Sequence, residues 1–313
     1  MFSSAIGRAS SWLSAREVLS LLLPSLAFWV AAGVLIVRSV GVAAVRSWWG
    51  GADGLSRALY GAAAAGVVLS FALVMQQLLT PLTRLFEGYW GSGRVGRRLM
   101  TAGRRREIRR WDQLDKIIGQ RNEPGRADRA YRLRHQRFPR ERAAAMPTRL
   151  GNVFQAAESY PSDNRLYGMD AVFFWPRLYP LLPEALRAEL ASARSAIDMM
   201  LVTSGLSATL SLGVAADGAA AHIPVPGQIL AVMGLLAISR GSYFGAVNAA
   251  VVYAELVRTS FDLYRRSLLS ALGLALPGSL AEERQVWRAV GQLLYRRHTD
   301  EELEAVLRFT DHL

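Results

Sequence analysis

The chain has 313 residues, 51% of them hydrophobic, and its 37 basic residues outnumber 25 acidic ones for a formal charge of +12. A mean hydropathy of +0.17 beside so many charges means that the two are segregated along the chain. That excludes a disordered protein, a collagen-like fibre and an ordinary soluble enzyme domain. The absence of cysteine also excludes disulfides, thiolate metal sites and cysteine nucleophiles.

Among the basic residues only Lys116 is a lysine, which reads as the codon bias of a GC-rich bacterial genome. Four apolar runs are long enough to cover about 30 Å of hydrocarbon at about 1.5 Å per residue. The first extends from about Val18 to Val37, or to Val45 if the helix runs on past Arg38. It is too long for the apolar part of a signal peptide, and no small-residue cleavage site follows it. The second covers about Ala58 to Leu79, the third Ser195 to Ala216 and the fourth Ile229 to Val257.

Charge orients the runs. Between Leu82 and Ser195 there are 23 basic and 12 acidic residues, whereas Leu256 to Leu313 holds eight of each. The short connections Arg46 to Arg57 and Asp217 to Gln228 carry almost no positive charge beyond their ends. The positive-inside rule then predicts a bacterial inner-membrane protein with cytoplasmic N- and C-termini and outward short loops. Trp48 and Trp49 suit the outer interface. The expected fold is all-α and polytopic. Residues 1–82 hold the first two transmembrane helices, 83–194 a basic helical cytoplasmic domain, 195–257 the other two membrane helices, and 258–313 a helical cytoplasmic tail.

Past the second run, Pro81 should kink the helix and Gly91 and Gly93 should break it. Apolar residues from Leu99 to Ile118 then recur at helical spacing. The remainder of that helix is an arginine face of Arg97, Arg98, Arg104, Arg105, Arg106, Arg109 and Arg110. It reads either as a solvated face that fixes topology or as a surface drawn to anionic lipid at about 1 kcal/mol per basic residue. Nucleic acid is disfavoured, because no nucleic-acid-binding fold accompanies the arginines.

Residues 121–152 read as polar turns and short helix. Thr148 is a candidate N-cap for a helix whose apolar face is Leu150, Val153, Phe154 and Ala157, ended by a turn at residues 160–164. Phe173, Phe174, Trp175 and Tyr179 lie in a run too short to span and interrupted by Pro176 and Pro180. They suit either the inner membrane surface or a domain core. In the tail, Ser279 to Glu282 and Thr299 to Glu302 fit capping boxes. Val286, Trp287 and Val290 form the apolar stripe of one tail helix, and Leu303, Val306, Leu307 and Phe309 that of a second.

LTRLFEGYW, MPTRLGNVFQAAESYP and RLYGMDAVFFWPRLYPLLP resemble segments of a family of bacterial, often actinobacterial, four-helix membrane proteins to which no activity is assigned. The resemblance covers roughly Leu82 to Ile197 and implies no catalytic residue. The order of helix pair, domain, helix pair and tail is similar to the layout of bestrophin-type anion channels, with no bestrophin motif to match.

Function would show in polar groups inside the apolar runs. Arg240 lies near the middle of the fourth, where a charge costs about 2.5–3.5 kcal/mol and should face protein or water. It either lines an aqueous anion path or a ligand site, or is paired within the bundle, or lies near an interface because the span begins later. Arg38 snorkels at the edge of the first run or is submerged, depending on where that helix ends. Ser204, Ser207 and Ser211 share one face of the third run and either line a pore or permit close helix packing. Gly241 and Gly245 form a GxxxG in the fourth, with Asn248 a turn further on.

No metal-ligand spacing, Walker loop, GxGxxG or nucleophile elbow is present. An enzyme and a cofactor are therefore not expected. The sequence predicts a homo-oligomer forming an ion path for anions or other small ions. The alternative is a non-conducting signalling or scaffold protein whose basic domain meets lipid, a ligand or a protein partner.

Overall fold

The computed structural model describes residues 15–120, 124–220, 226–296 and 305–309. It is all-α and polytopic. Among the described residues there is no strand, only an antiparallel bridge between Leu274 and Phe309. Four helices are long and apolar enough to cross a membrane. They are α1 (Ala15–Val40), α3 (Gly54–Glu87), α8 (Glu184–Ala220) and α9 (Pro226–Ala271), with the short α2 (Val42–Gly51) between the first two. The remaining helices are α4 (Arg94–Gly119), α5 (Pro124–Arg137), α6 (Arg149–Ser159), α7 (Ala171–Leu178) and α10 (Leu280–Gly291). The chain divides into two compact units. The spanning unit is Trp12–Thr83 with Ser195–Ala246, and the helical domain is Arg84–Arg194 with Val247–Leu313.

In the spanning unit, Gly41 adopts φ 96° and separates α1 from α2. The first helix therefore stops at Val40, and Arg38 stands exposed in its last turn. There its charge offsets the negative helix end. Phe28 and Trp29 of α1 meet Phe71 of α3 at ring separations of 5.4 and 5.7 Å. Trp48 of α2 packs on Tyr60 of α3 at 4.7 Å. Most other large apolar residues of α1 and α3 are exposed, among them Val30, Val34, Val67 and Val74. A face of that kind belongs in lipid or against another protein.

The helical domain is built around the second half of α9. Tyr253, Ala254, Val257 and Phe261 are at most 1% exposed. Phe154 of α6 meets Tyr253 at 6.3 Å, and Trp175 of α7 meets Phe261 at 5.8 Å. Trp287 of α10 closes on Phe174 at 5.1 Å. Each of these large side chains contributes roughly 1.5–3 kcal/mol by leaving water.

Contacts within the chain bear on three expectations. The fourth apolar run continues into the helical domain: residues 247–257 group with that domain, with Val247, Ala250, Tyr253, Ala254 and Val257 buried and Asn248 and Val252 exposed. The tail packs with the central segment in one unit. Residues 305–306 form a turn and Phe309 a bridge, so the stripe of Val306, Leu307 and Phe309 is not helical there. The Thr299 capping box and Leu303 lie outside the described residues.

The chain leaves α3 at Gly88, which has φ +102°, three residues before the expected break at Gly91, and Pro81 is accommodated inside the helix. Next to this exit the start of α6 is locked. Thr148 Oγ1 accepts from the Gly151 amide at 3.0 Å and donates to the Glu87 carbonyl at 2.8 Å. A Cβ on Gly151 would sit 2.3 Å from that same carbonyl oxygen. Gly151→Ala should therefore lower the midpoint of thermal unfolding far more than Thr148→Val. The latter removes a cap worth about 1 kcal/mol, and Thr148→Ser should stay close to wild type. Equal midpoints for Gly151→Ala and Thr148→Ser in circular dichroism melts would contradict this packing.

Candidate functional site: an arginine–tyrosine cavity in the helical domain

One face of α5 presents Tyr131, Arg134 and His135 at helical spacing, with Phe138 just past its end. These residues line a cavity of about 430 Å³. The opposite wall is the end of α6 and the turn after it, with Ser159, Tyr160 and Asp163, and Arg258 comes from α9. Arg258 is 3% exposed. It donates to the His135 carbonyl at 2.8 Å, pairs with Glu255 at 3.2 Å and lies over the Tyr160 ring at 5.6 Å. Its Nε is buried with no hydrogen-bond acceptor.

Behind the wall, Asp262 accepts from Tyr160 at 3.1 Å and from Tyr167 at 2.8 Å. Burial, reinforced by the Asp262 charge, pushes the Tyr160 phenol up to about 12. Tyr167 is also shifted upward, by burial and by its hydrogen bond to Asp262. Arg265 extends the network. It stacks over Tyr167 at 3.9 Å and pairs at 2.7 Å with the buried Glu283, which accepts from Trp287 Nε1 at 3.2 Å. Arg140 closes the rim by pairing with Asp163 at 2.5 Å. Partial burial, then the charge of Arg258, lowers the His135 pKa. The neutral imidazole is thus the favoured form, and its contribution to stability is present above its ordinary value of 6.5 and lost as pH falls through the lowered one.

No family model matches the chain, and neither does any curated protein or solved structure. The site's meaning therefore comes from its own chemistry. No group of three or more His, Asp or Glu side chains fit to hold a metal occurs among the described residues. The cavity offers cationic forks, phenols, an imidazole and a hydroxyl around an aromatic floor, a set suited to holding a small polar molecule rather than to activating a nucleophile.

The residues singled out from sequence are dispersed. In the spanning unit, Ser204 is 2% exposed and shares a 3.3 Å hydrogen bond with Ser239. Ser211, equally buried, donates to its own helix at the Ala208 carbonyl, 2.7 Å away. Ser207 is half-buried. This face is used in packing within the chain. Gly245 lets Met200 approach, a Cβ there falling 3.1 Å from its sulfur, while Gly241 faces open space.

Arg240 is exposed, and among the described residues it reaches the Phe244 ring, at 4.8 Å. It stands six residues before Ala246, where the spanning unit ends. That is about 9 Å of helix rise. Asn248 groups with the helical domain, where Arg137 donates to its Oδ1 at 3.0 Å.

On α4, Arg97, Arg98, Arg105, Arg106 and Arg109 are exposed. Two arginines of that face act internally. Arg104 donates to the Ala143 carbonyl and Arg110 pairs with the buried Glu107 at 3.0 Å.

The cavity residues themselves were not singled out by sequence reasoning. One signal was available: Arg258 interrupts the stripe of Ala254, Val257 and Phe261 on α9, and a charge in a core stripe calls for partners. In alkaline titration followed by tyrosinate absorbance, Tyr160→Phe should delete an ionisation near pH 12. The network's contribution to stability is present below the ordinary value of 10.0 and lost as pH rises toward about 12. An unchanged titration curve in Tyr160→Phe would contradict the buried hydrogen bond to Asp262.

Proposed function

We propose that this protein is a non-conducting membrane binding protein. It would lie in the bacterial cytoplasmic membrane with its helical domain on the cytoplasmic side, and that domain would take up a small polar ligand in the arginine–tyrosine cavity. The observation that carries the reading is the cavity with buried Arg258 at its wall, Nε without an acceptor. An unmet buried donor on a charged group costs upwards of about 1–3 kcal/mol, and a ligand oxygen would offset it. The internal bonding of Ser204 and Ser211 also favours a sealed spanning unit. The exposed arginines of α4 favour attraction of the domain to anionic lipid as a second contact.

Leu166 lines the same cavity. Small molecules that copurify with the wild-type protein, identified by mass spectrometry, should be absent from Leu166→Trp, which fills the space. Equal recovery from both proteins would end the reading. Sidedness has a clean test because the chain has no cysteine. In intact cells, Asp53→Cys should react with a membrane-impermeant maleimide and Arg105→Cys should not. The reverse pattern would invert the proposed topology.

A homo-oligomer conducting anions is the second reading, and it rests on Arg240. This arginine is exposed on α9 beside the exposed apolar residues Leu236 and Ile238, and a neighbouring subunit or an aqueous path would satisfy it. Single-particle imaging should then give a closed ring with an axial opening, and anion flux into proteoliposomes should fall at least tenfold in Arg240→Ala. A sealed particle without flux removes this reading and leaves the first intact.

A further inference from the structure

A second cavity, of about 280 Å³, lies in the helical domain and has only Phe138 in common with the lining of the first. Its apolar wall is made by Leu114 and Ile117 of α4, Leu133 of α5, Phe138, Val153 of α6 and Val247 of α9, and Glu107, Arg110, Gln113, Arg137 and Arg149 complete the lining. Its charges are unequal. Glu107 is 3% exposed and already answered by Arg110 at 3.0 Å. Arg137 is in no ion pair among the described residues. Its one hydrogen bond goes to a neutral acceptor, the Asn248 amide oxygen at 3.0 Å, and its Nε is buried with no acceptor at all. An apolar chamber bordered by a guanidinium that lacks a counter-charge is complementary to one kind of molecule, with an alkyl chain for the walls and an anion for Arg137. A bare anion gains nothing from the walls, and a neutral chain leaves the guanidinium unmet. At about 30 Å³ per water-sized group, the space holds about nine such groups.

We propose that this cavity binds a single-chain amphiphile with a carboxylate or phosphate head, its head on Arg137 and an alkyl chain of about eight to ten carbons between Leu114 and Val153. The proposal does not depend on the first cavity's having a ligand.

The test is calorimetric titration of the full chain in zwitterionic nanodiscs, with empty nanodiscs subtracted, using decanoate, decanol and inorganic phosphate. Decanoate should bind saturably, one per chain. Decanol should bind at least tenfold more weakly, and inorganic phosphate should not register. Arg137→Gln should weaken decanoate at least tenfold, with Arg137→Lys recovering part of the loss. Leu133→Trp, at a position 37% exposed, should block the chamber without touching the core. Leu166→Trp, which fills the other cavity, should leave decanoate binding unchanged and so separates the two proposals. Nanodiscs containing lysophosphatidate distinguish the sources. Lost decanoate binding there supports a bilayer amphiphile, and unchanged binding supports one taken from water. Three results overturn the proposal: no saturable binding of decanoate, equal binding of decanol, or wild-type affinity in folded Arg137→Gln and Leu133→Trp.

Discussion

The helical domain depends on one buried amide. Asn152 is fully buried, and its Oδ1 accepts from the Met146 amide at 2.8 Å. Its Nδ2 donates to the Thr148 and Met146 carbonyls at 2.9 and 3.2 Å and reaches the Glu107 carboxylate at 3.5 Å. A side-chain amide has two donors and a carbonyl to satisfy, and here all are used within one turn of chain and the facing helix. The consequence is geometric. The turn before α6 is held shut, Thr148 can cap α6 and reach the end of α3, and Gly151 can come against the Glu87 carbonyl. An apolar residue of Asn volume would leave the Met146 amide and carbonyl unmet in the interior, each at about 1–3 kcal/mol. The walls of both cavities begin from this node, since α6 supplies Ala156 and Ser159 to one and Val153 to the other.

This accounts for two segments whose role the sequence left open. PTRLGN is the node itself: Pro147 packs where a Cβ on Gly88 would fall, 2.4 Å from its Cγ, and Thr148, Gly151 and Asn152 each make a contact that another residue type would lose. YGMDAVFFWPRL is the core helix α7, with Asp170 accepting from the Phe173 amide at 3.1 Å as its N-cap. Phe174 and Trp175 are 1% exposed. The aromatic run therefore belongs to the domain core and not to a membrane surface, the choice that periodicity alone could not make.

The fold was legible where a single physical rule governs a long stretch. Four runs of uniform hydropathy became four long apolar helices, and the Thr148 and Ser279 caps fell where hydroxyl side chains precede an apolar stripe. Legibility failed where two environments share one composition. The second half of α9 reads as membrane because Tyr253, Ala254 and Val257 are as apolar in a protein core as in lipid. The candidate site was hidden for a different reason. Its residues, His135, Tyr160, Asp163, Arg258 and Asp262, lie far apart in sequence, and only tertiary packing gathers them.

The arginine surplus also ties the helical domain together. Arg142 grips Asp112 with two bonds of 2.7 and 3.0 Å, and Arg134 pairs with Asp115. Arg104 reaches the Ala143 carbonyl, and Arg258 the His135 carbonyl. A planar fork of five donors can bridge helices in a way that a lysine's point charge does not. A lysine at 142 would keep the local charge and lose the two-point grip on α4. Composition therefore reports two separate properties of this chain. Net charge bears on which side of a membrane the domain faces, whereas the near-absence of lysine, whatever its origin in the genome, supplies the multidentate donors that join α4, α5 and α9 around the cavities. Within the domain it follows that charge and architecture are separable, since an arginine-to-lysine change preserves the first and dismantles the second.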